Sequence, residues 1–152
     1  MGRTVAIDDA KEDACRSIME TLPDWFEPDV VEATVCALTD LKVYGYVADG
    51  NLVAVMALKL HLPDAIEIAL IATRPDYHGR GAGRQLIATA EDFAKVTGAK
   101  LMTVKTLAPR GRDEPLFEAT RRFYDKNGFY QAEVFPTLWS EDHPCLFMVK
   151  VL

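Results

Sequence analysis

A chain of 152 residues, near half apolar and about a quarter charged, has material for one core and is short for two domains. Its net charge of −6 argues against a nucleic-acid partner, and no apolar run nears the roughly 20 residues that span a bilayer. Cys15, Cys36 and Cys145 are odd in number, far apart and form no Cys-x-x-Cys pair, which excludes a disulfide framework and a cysteine zinc site.

The acidic start MGRTVAIDDAKED lacks the apolar stretch of a secretory signal, and Ala6 stands where a myristoylation site needs Ser or Thr. A reduced, cytoplasmic protein is the expectation. A short strand is expected from Thr4, then a helix capped by Asp8 or Asp9 with Ala14, Ile18, Met19 and Leu22 on one face. The turn LPDWF breaks that helix, and Pro28 opens a second one through Val31, Val35 and Leu38. VYGYVAD and LVAVMALKLHL read as strands joined by Asp49-Gly50-Asn51, a hairpin turn. After Pro63-Asp64, the nearly continuous apolar run AIEIALIAT reads as a central strand buried on both faces.

Beyond Thr73-Arg74-Pro75 a helix is expected from about Gly81 to Thr97, closed by Gly98. LMTVKTL is the next strand, APRGRDEP a polar loop, and LFEATRRFYDKNG a helix closed by Gly128. FYQAEVF and CLFMVKVL complete the set as two strands around a loop PTLWSEDHP. The fold class is α+β: a mixed, mostly antiparallel central sheet with helices on both faces, as a single domain over residues 1–152. The strand-helix-strand unit in the middle forces one parallel pair.

Charge is unevenly spread. Residues 1–32 hold nine Asp/Glu against three Lys/Arg, and residues 74–112 hold eight Lys/Arg against three Asp/Glu. Within the basic segment, Gly79, Gly81 and Gly83 alternate just where a helix begins. Backbone N–H groups exposed at a helix N-terminus form an anion site, and missing side chains allow phosphate oxygens to approach. Arg80 and Arg84 can add charge-assisted contacts. The Walker pattern is absent, since no Gly-Lys-Ser/Thr follows, and Arg84 breaks the dinucleotide fingerprint Gly-x-Gly-x-x-Gly.

The stretch PDYHGRGAGRQLI after the strand EIALIAT resembles the acetyl-coenzyme A loop of the GNAT acyltransferase superfamily, whose pattern Gln/Arg-x-x-Gly-x-Gly/Ala is met by His78 to Gly83 with His at the first position. ATRRFYDKNGFYQ is similar to the family's helix-and-strand signature ending in Phe-Tyr-x-x-x-Gly-Phe. The order of elements follows the family over essentially the whole chain, though the first forty residues match in layout alone. The resemblance implies that acetyl-CoA lies in a wedge where the EIALIAT and LMTVKTL strands splay. Its pantetheine arm would meet the backbone of Ile71, Ala72 and Thr73. Its pyrophosphate would sit on amides of the loop His78, Gly79, Arg80, Gly81, Ala82, Gly83 and Arg84.

Transfer to an amine needs a base to take the amine's proton and an acid to supply the departing thiolate. Glu67 is the single charge in AIEIALIAT, where burial is expected to raise its pKa toward neutrality; an edge-facing or salt-bridged glutamate is the alternative. It precedes His78 by eleven residues, the spacing at which some family members place a catalytic glutamate. Tyr124 matches the family tyrosine that protonates the thiolate; a core position in the stripe Phe117, Thr120, Phe123 and Tyr124 is the alternative. Trp25, Phe26 and Trp139 stand in expected turns and either anchor the core or line the acceptor pocket, which the family builds from the first helix pair and the last loop. Cys145 near His143 reads as a buried cysteine, and His61 and His143 lack metal-ligand spacing, so no metal is expected.

The leading reading is an acetyl-CoA-dependent N-acetyltransferase acting by direct attack on a primary amine of a small molecule or peptide. An acyl-CoA-binding sensor without turnover, or a transferase with another acyl group or acceptor, are the alternatives. The acidic first 32 residues favour a cationic acceptor. The oligomeric state stays open, a homodimer being one option.

Overall fold

The computed structural model describes residues 2–152. Among them the strands form one seven-stranded sheet in the order β1-β2-β3-β4-β5-β7-β6. In chain order these are β1 (Gly2–Ile7), β2 (Lys42–Ala48), β3 (Asn51–Leu60), β4 (Ala65–Thr73), β5 (Leu101–Leu107), β6 (Tyr130–Ser140) and β7 (His143–Val151). The helices are α1 (Lys11–Met19), α2 (Pro28–Cys36), α3 (Ala82–Thr97) and α4 (Pro115–Lys126). Every neighbouring pair is antiparallel except β4 and β5.

Local chemistry accounts for the regular pieces. Asp49 and Gly50 both take positive φ (53° and 77°), the conformation of a tight two-residue hairpin whose twist matches the strands. Gly98 ends α3 at φ 80°, its N–H returning to the last turn. The buried stripe Leu86, Ile87, Ala90 and Ala94 of α3 packs on Met56, Leu58, Ile66, Ile68 and Met102 from one face of the sheet. On the other face, α1 and α2 bring Cys15, Ile18, Met19, Val31 and Val35 against Val43, Val55, Leu70 and Ala72.

β4 changes its facing part-way. Ile66 and Ile68 belong to the α3 core, whereas Leu70 and Ala72 belong to the α1–α2 core. The switch occurs at a bulge: Ala57 pairs with Leu70 and Leu58 with Ile68, leaving Ala69 unpaired. Ala69 is exposed, so the expectation of a strand buried on both faces throughout fails at this residue. The parallel ladder with β5 also stops here, its last pair being Ile68 and Val104. β5 continues alongside β7 as far as Leu107 and Cys145, so β4 and β5 diverge beyond the bulge.

Three other expectations need correction. Helix α1 is not capped by Asp8 or Asp9; Ala10 occupies the cap at φ 55° with no side-chain bond, and Asp8 lies 3.7 Å from Lys42 Nζ instead. The first strand begins at Gly2, ahead of Thr4, because β2 extends far enough to pair it with Ala48. The segment expected to be a loop, PTLWSEDHP, is largely strand: β6 runs to Ser140 and only Glu141 and Asp142 turn the chain. Pro136 is tolerated because β6 is an edge strand with its register interrupted between Phe135 and Ser140.

Candidate active site

The divergence of β4 and β5 leaves the backbone of β4 from Leu70 to Thr73 without a parallel partner. Directly beyond Thr73 the chain makes a short 3-10 turn at Pro75–Tyr77 and enters the glycine loop. Gly79 and Gly81 have φ of 74° and 88°, a region side-chain-bearing residues rarely adopt. No side chain caps the following helix, and its first internal bond is Gln85 N–H to Gly81 C=O. The amides of Ala82, Gly83 and Arg84 therefore head the helix without helical partners. At Gly83 packing also bars a side chain, since a Cβ there would lie 2.8 Å from the Phe123 ring. The expectation that all three glycines clear a path for phosphate thus holds a second cause at Gly83, the close approach of α3 to α4.

The loop is braced on both sides. His78 Nε2–H donates to the Thr73 carbonyl (2.7 Å), and its ring meets Trp25 edge-on at 5.8 Å. Trp25 Nε1–H reaches Thr120 Oγ1 on α4 (3.3 Å), so one half-buried indole touches the glycine loop and α4 together. Phe26 packs against the α1–α2 core. Arg80 stacks over Tyr77, whose hydroxyl donates to Asp49 (2.8 Å). Trp139 stands apart from this group, half exposed on the edge strand β6.

Glu67 and Tyr124 lie on opposite faces of the sheet. Glu67 alternates with Ile66 and Ile68 and so faces away from the α3 core, whereas Tyr124 of α4 is part of that core. Glu67 is 8% exposed, and each of its oxygens accepts from a nitrogen: His61 Nε2 at 2.6 Å and Lys105 Nζ at 2.9 Å. Burial alone would raise its pKa, but the bonds from His61 and Lys105 outweigh burial and hold the carboxyl below its ordinary value. The expected upward shift toward neutrality is therefore reversed. Tyr124 packs edge-on against Phe123 and Phe129 at 5.4 and 5.6 Å, and burial pushes its phenol above the ordinary range. Cys145 is fully buried, and His143 Nδ1 bonds to Ser140 Oγ (2.8 Å). Among the described residues no group of three His, Cys, Asp or Glu side chains could hold a metal ion, and no helix is long and apolar enough to cross a membrane.

A family model described as an acetyltransferase (GNAT) domain matches residues 40–131, well over half of the chain. The chain belongs to the GNAT acetyltransferase family. The GNAT fold extends beyond the matched segment, as solved structures show. A GNAT-family protein from Desulfovibrio desulfuricans superposes with a TM-score of 0.82 at 18% identity, covering 99% of both chains. An aminoglycoside 6'-N-acetyltransferase in complex with coenzyme A gives 0.77 at 16% identity, covering 98% of this chain and 96% of its own. The ribosomal-protein-S18-alanine N-acetyltransferase from Escherichia coli gives 0.75 at 16% identity, covering 99% and 94%. A comparison with curated protein sequences gives no match.

The GNAT pattern in the sequence pointed to Glu67 but not to its partners, His61 and Lys105. A signal for His61 existed: around the Pro63-Asp64 turn, His61 has the same parity as Glu67 and lies diagonally across the hairpin from it. Lys105 carried no such signal, because its approach depends on a parallel pairing 38 residues away in sequence.

Proposed function

We propose that this protein is an N-acetyltransferase that moves an acetyl group from acetyl-CoA to a primary amine by direct attack, working as one domain over residues 1–152. The observation that carries the reading is the coincidence of three features at one end of β4: the Ala69 bulge, the loss of the parallel ladder and the positive-φ glycine loop. The β4 edge left free of β5 offers an extended amide chain a partner, and helix-head amides behind Gly79 and Gly81, which carry no Cβ, offer a diphosphate its donors. In this reading Ile71, Ala72 and Thr73 hold the pantetheine arm, and His78 through Arg84 hold the pyrophosphate. Two structural neighbours are N-acetyltransferases by name, one of them crystallised with coenzyme A.

Acetyl-CoA supplies an activated acyl carbon. The protein's part is to orient the amine, accept its proton and protonate the thiolate that leaves. Glu67 is the proton acceptor, kept ionised by Lys105 and His61 so that it is ready at neutral pH. Tyr124 is the donor on the other face, where burial keeps its phenol protonated. Trp25 and Phe26, at the α1–α2 turn beside the glycine loop, border the acceptor, with Trp139 at its outer rim. Three free cysteines fit a reducing cytoplasm.

The test is thiol release from acetyl-CoA with a panel of polyamines, aminoglycosides and peptides, with the acetylated product identified by mass spectrometry. Release that requires an amine supports the enzyme. Tight acetyl-CoA binding in calorimetry without release to any amine favours a sensor, and faster release from longer acyl-CoAs corrects the acyl group.

A further inference from the structure

The reaction proposed above asks one thing of its acceptor: a primary amine hydrogen-bonded to the proton-accepting carboxylate, beside the splay. The protein already contains such an amine. Lys105 Nζ donates to Glu67 Oε2 at 2.9 Å. Val104 makes the last β4–β5 pair, so Lys105 is the first β5 residue beyond the ladder, at the mouth of the divergence. Its side chain is about a quarter exposed, and Glu67's other oxygen is already taken by His61. With one donor already on each oxygen, an external amine reaches Glu67 through a remaining lone pair beside Lys105 or by displacing it.

We propose that Lys105 is an internal acceptor, occupying the place of the substrate amine and becoming acetylated on Nζ when acetyl-CoA is bound and no external amine is present. The inference rests on the acetyl-CoA reading of the splay. In the step, Lys105 Nζ gives one proton to Glu67 and a lone pair becomes free. The nitrogen attacks the thioester carbonyl carbon, the N–C bond forms and the C–S bond breaks. The thiolate leaves with the bonding pair and takes a proton from the Tyr124 side; the second amine proton passes to solvent, and the proton held by Glu67 returns through solvent to Tyr124, restoring carboxylate and phenol. The product is a neutral amide on Lys105 and free coenzyme A.

Acetylation also removes a cation from Glu67. The carboxylate then keeps His61 alone as a partner, and its second oxygen is open to an external amine. Self-acetylation and acetyl transfer are thus linked through one carboxylate. Exposure supplies an internal control: Lys100, one residue before β5, has 78% of its side-chain area exposed against 28% for Lys105. Chemical acetylation by acetyl-CoA in bulk solution favours the open lysine, and the site-directed reaction favours the sheltered one.

The experiment is peptide-resolved mass spectrometry of the purified protein incubated with acetyl-CoA, with acetyl-CoA binding followed in parallel by calorimetry. One acetyl group at Lys105 is expected. Its rate should be independent of protein concentration, exceed that at Lys100 by at least about tenfold, and drop when a good amine substrate is added. Lys105→Arg should keep the pairing with Glu67 and lose the modification, and Glu67→Gln should slow it by about 10²-fold or more. Because Glu67→Gln can also loosen the fold, the concentration and competition measurements on the unaltered chain stand independently of it. Acetyl-CoA binding with transfer to amines but an unmodified Lys105 overturns this inference and leaves the transferase intact, as does modification of Lys100 at an equal rate. Failure to bind acetyl-CoA at all removes both.

Discussion

The ring of Phe123 fills the space that a side chain at Gly83 would need, with a Cβ there falling 2.8 Å from Cζ and 3.0 Å from Cε1. The first turn of α3 and the C-terminal part of α4 touch at this point, next to Tyr124, so the glycine loop and the proposed acid share a contact. Gly81 differs: a Cβ there meets Arg84 Nη2 at 3.6 Å, an ordinary distance, but its φ of 88° disfavours any side chain. Gly83→Ala is expected to cost about 1–3 kcal/mol through overpacking, and Phe123→Leu should restore part of the loss. Thermal denaturation of the two single variants and the double variant checks this, and additive effects would rule out the contact. Gly81→Glu puts a carboxylate at the proposed phosphate site on backbone that disfavours a side chain, and in a variant shown folded by circular dichroism it should weaken acetyl-CoA binding at least tenfold; affinity equal to the parent's would discard the proposed phosphate site.

Tyr124→Phe removes one hydroxyl from a buried ring and leaves its packing on Phe123 and Phe129 in place. Turnover with a confirmed amine should fall by about 10²-fold or more, with acetyl-CoA affinity unchanged. Burial raises the phenol's pKa, so the folded state keeps its proton where the unfolded chain has lost it. The wild-type protein should therefore lose stability as pH rises above about 10, the ordinary tyrosine value. That alkaline loss should be smaller in Tyr124→Phe. Unaltered turnover would eliminate the phenol as the acid.

For Glu67 the linkage runs the opposite way. Its folded pKa lies below that of the unfolded carboxyl, about 4.3. The stabilisation is complete above that value and disappears as pH falls through the lower folded one. Glu67→Gln should lower stability at pH 7 by about 1–3 kcal/mol, since Lys105 and His61 lose a charged partner. The difference from wild type should shrink below pH of about 4. Urea midpoints at neutral and acid pH measure it, and a gap that ignores pH contradicts the ion-pair account.

The cysteines offer a probe of the core that needs no substitution. Burial raises the Cys15 thiol to about 11 and raises Cys145 as well, and both side chains are fully buried. Cys36, at the end of α2, is exposed. With a coloured disulfide reagent at pH 8, the native protein should show one fast thiol, and urea should release the other two. Rapid reaction of Cys145 in the native state would mean that β7 does not sit against β5 as described.

Much of this fold was legible in the sequence because its signals are local. Asp49-Gly50 demands a tight hairpin whatever surrounds it, and Gly98 ends a helix by its own φ. The glycine loop could be read as an anion site for the same reason, since backbone conformation and missing side chains belong to a few consecutive residues. Failures clustered where the deciding partner is distant. Nothing within AIEIALIAT announces that Ala69 bulges, because a bulge is a mismatch of register with β3. The apolar strand around Glu67 implied a raised pKa, and only the tertiary arrangement brought the charges that lower it. Gly83 offered a phosphate reason for its missing side chain, and only the packing of α4 added a second, the Phe123 ring beside it. Sequence determines what each short segment can adopt; which atoms fill the space beside it, and so which protons it holds, is decided by the packing of segments tens of residues apart.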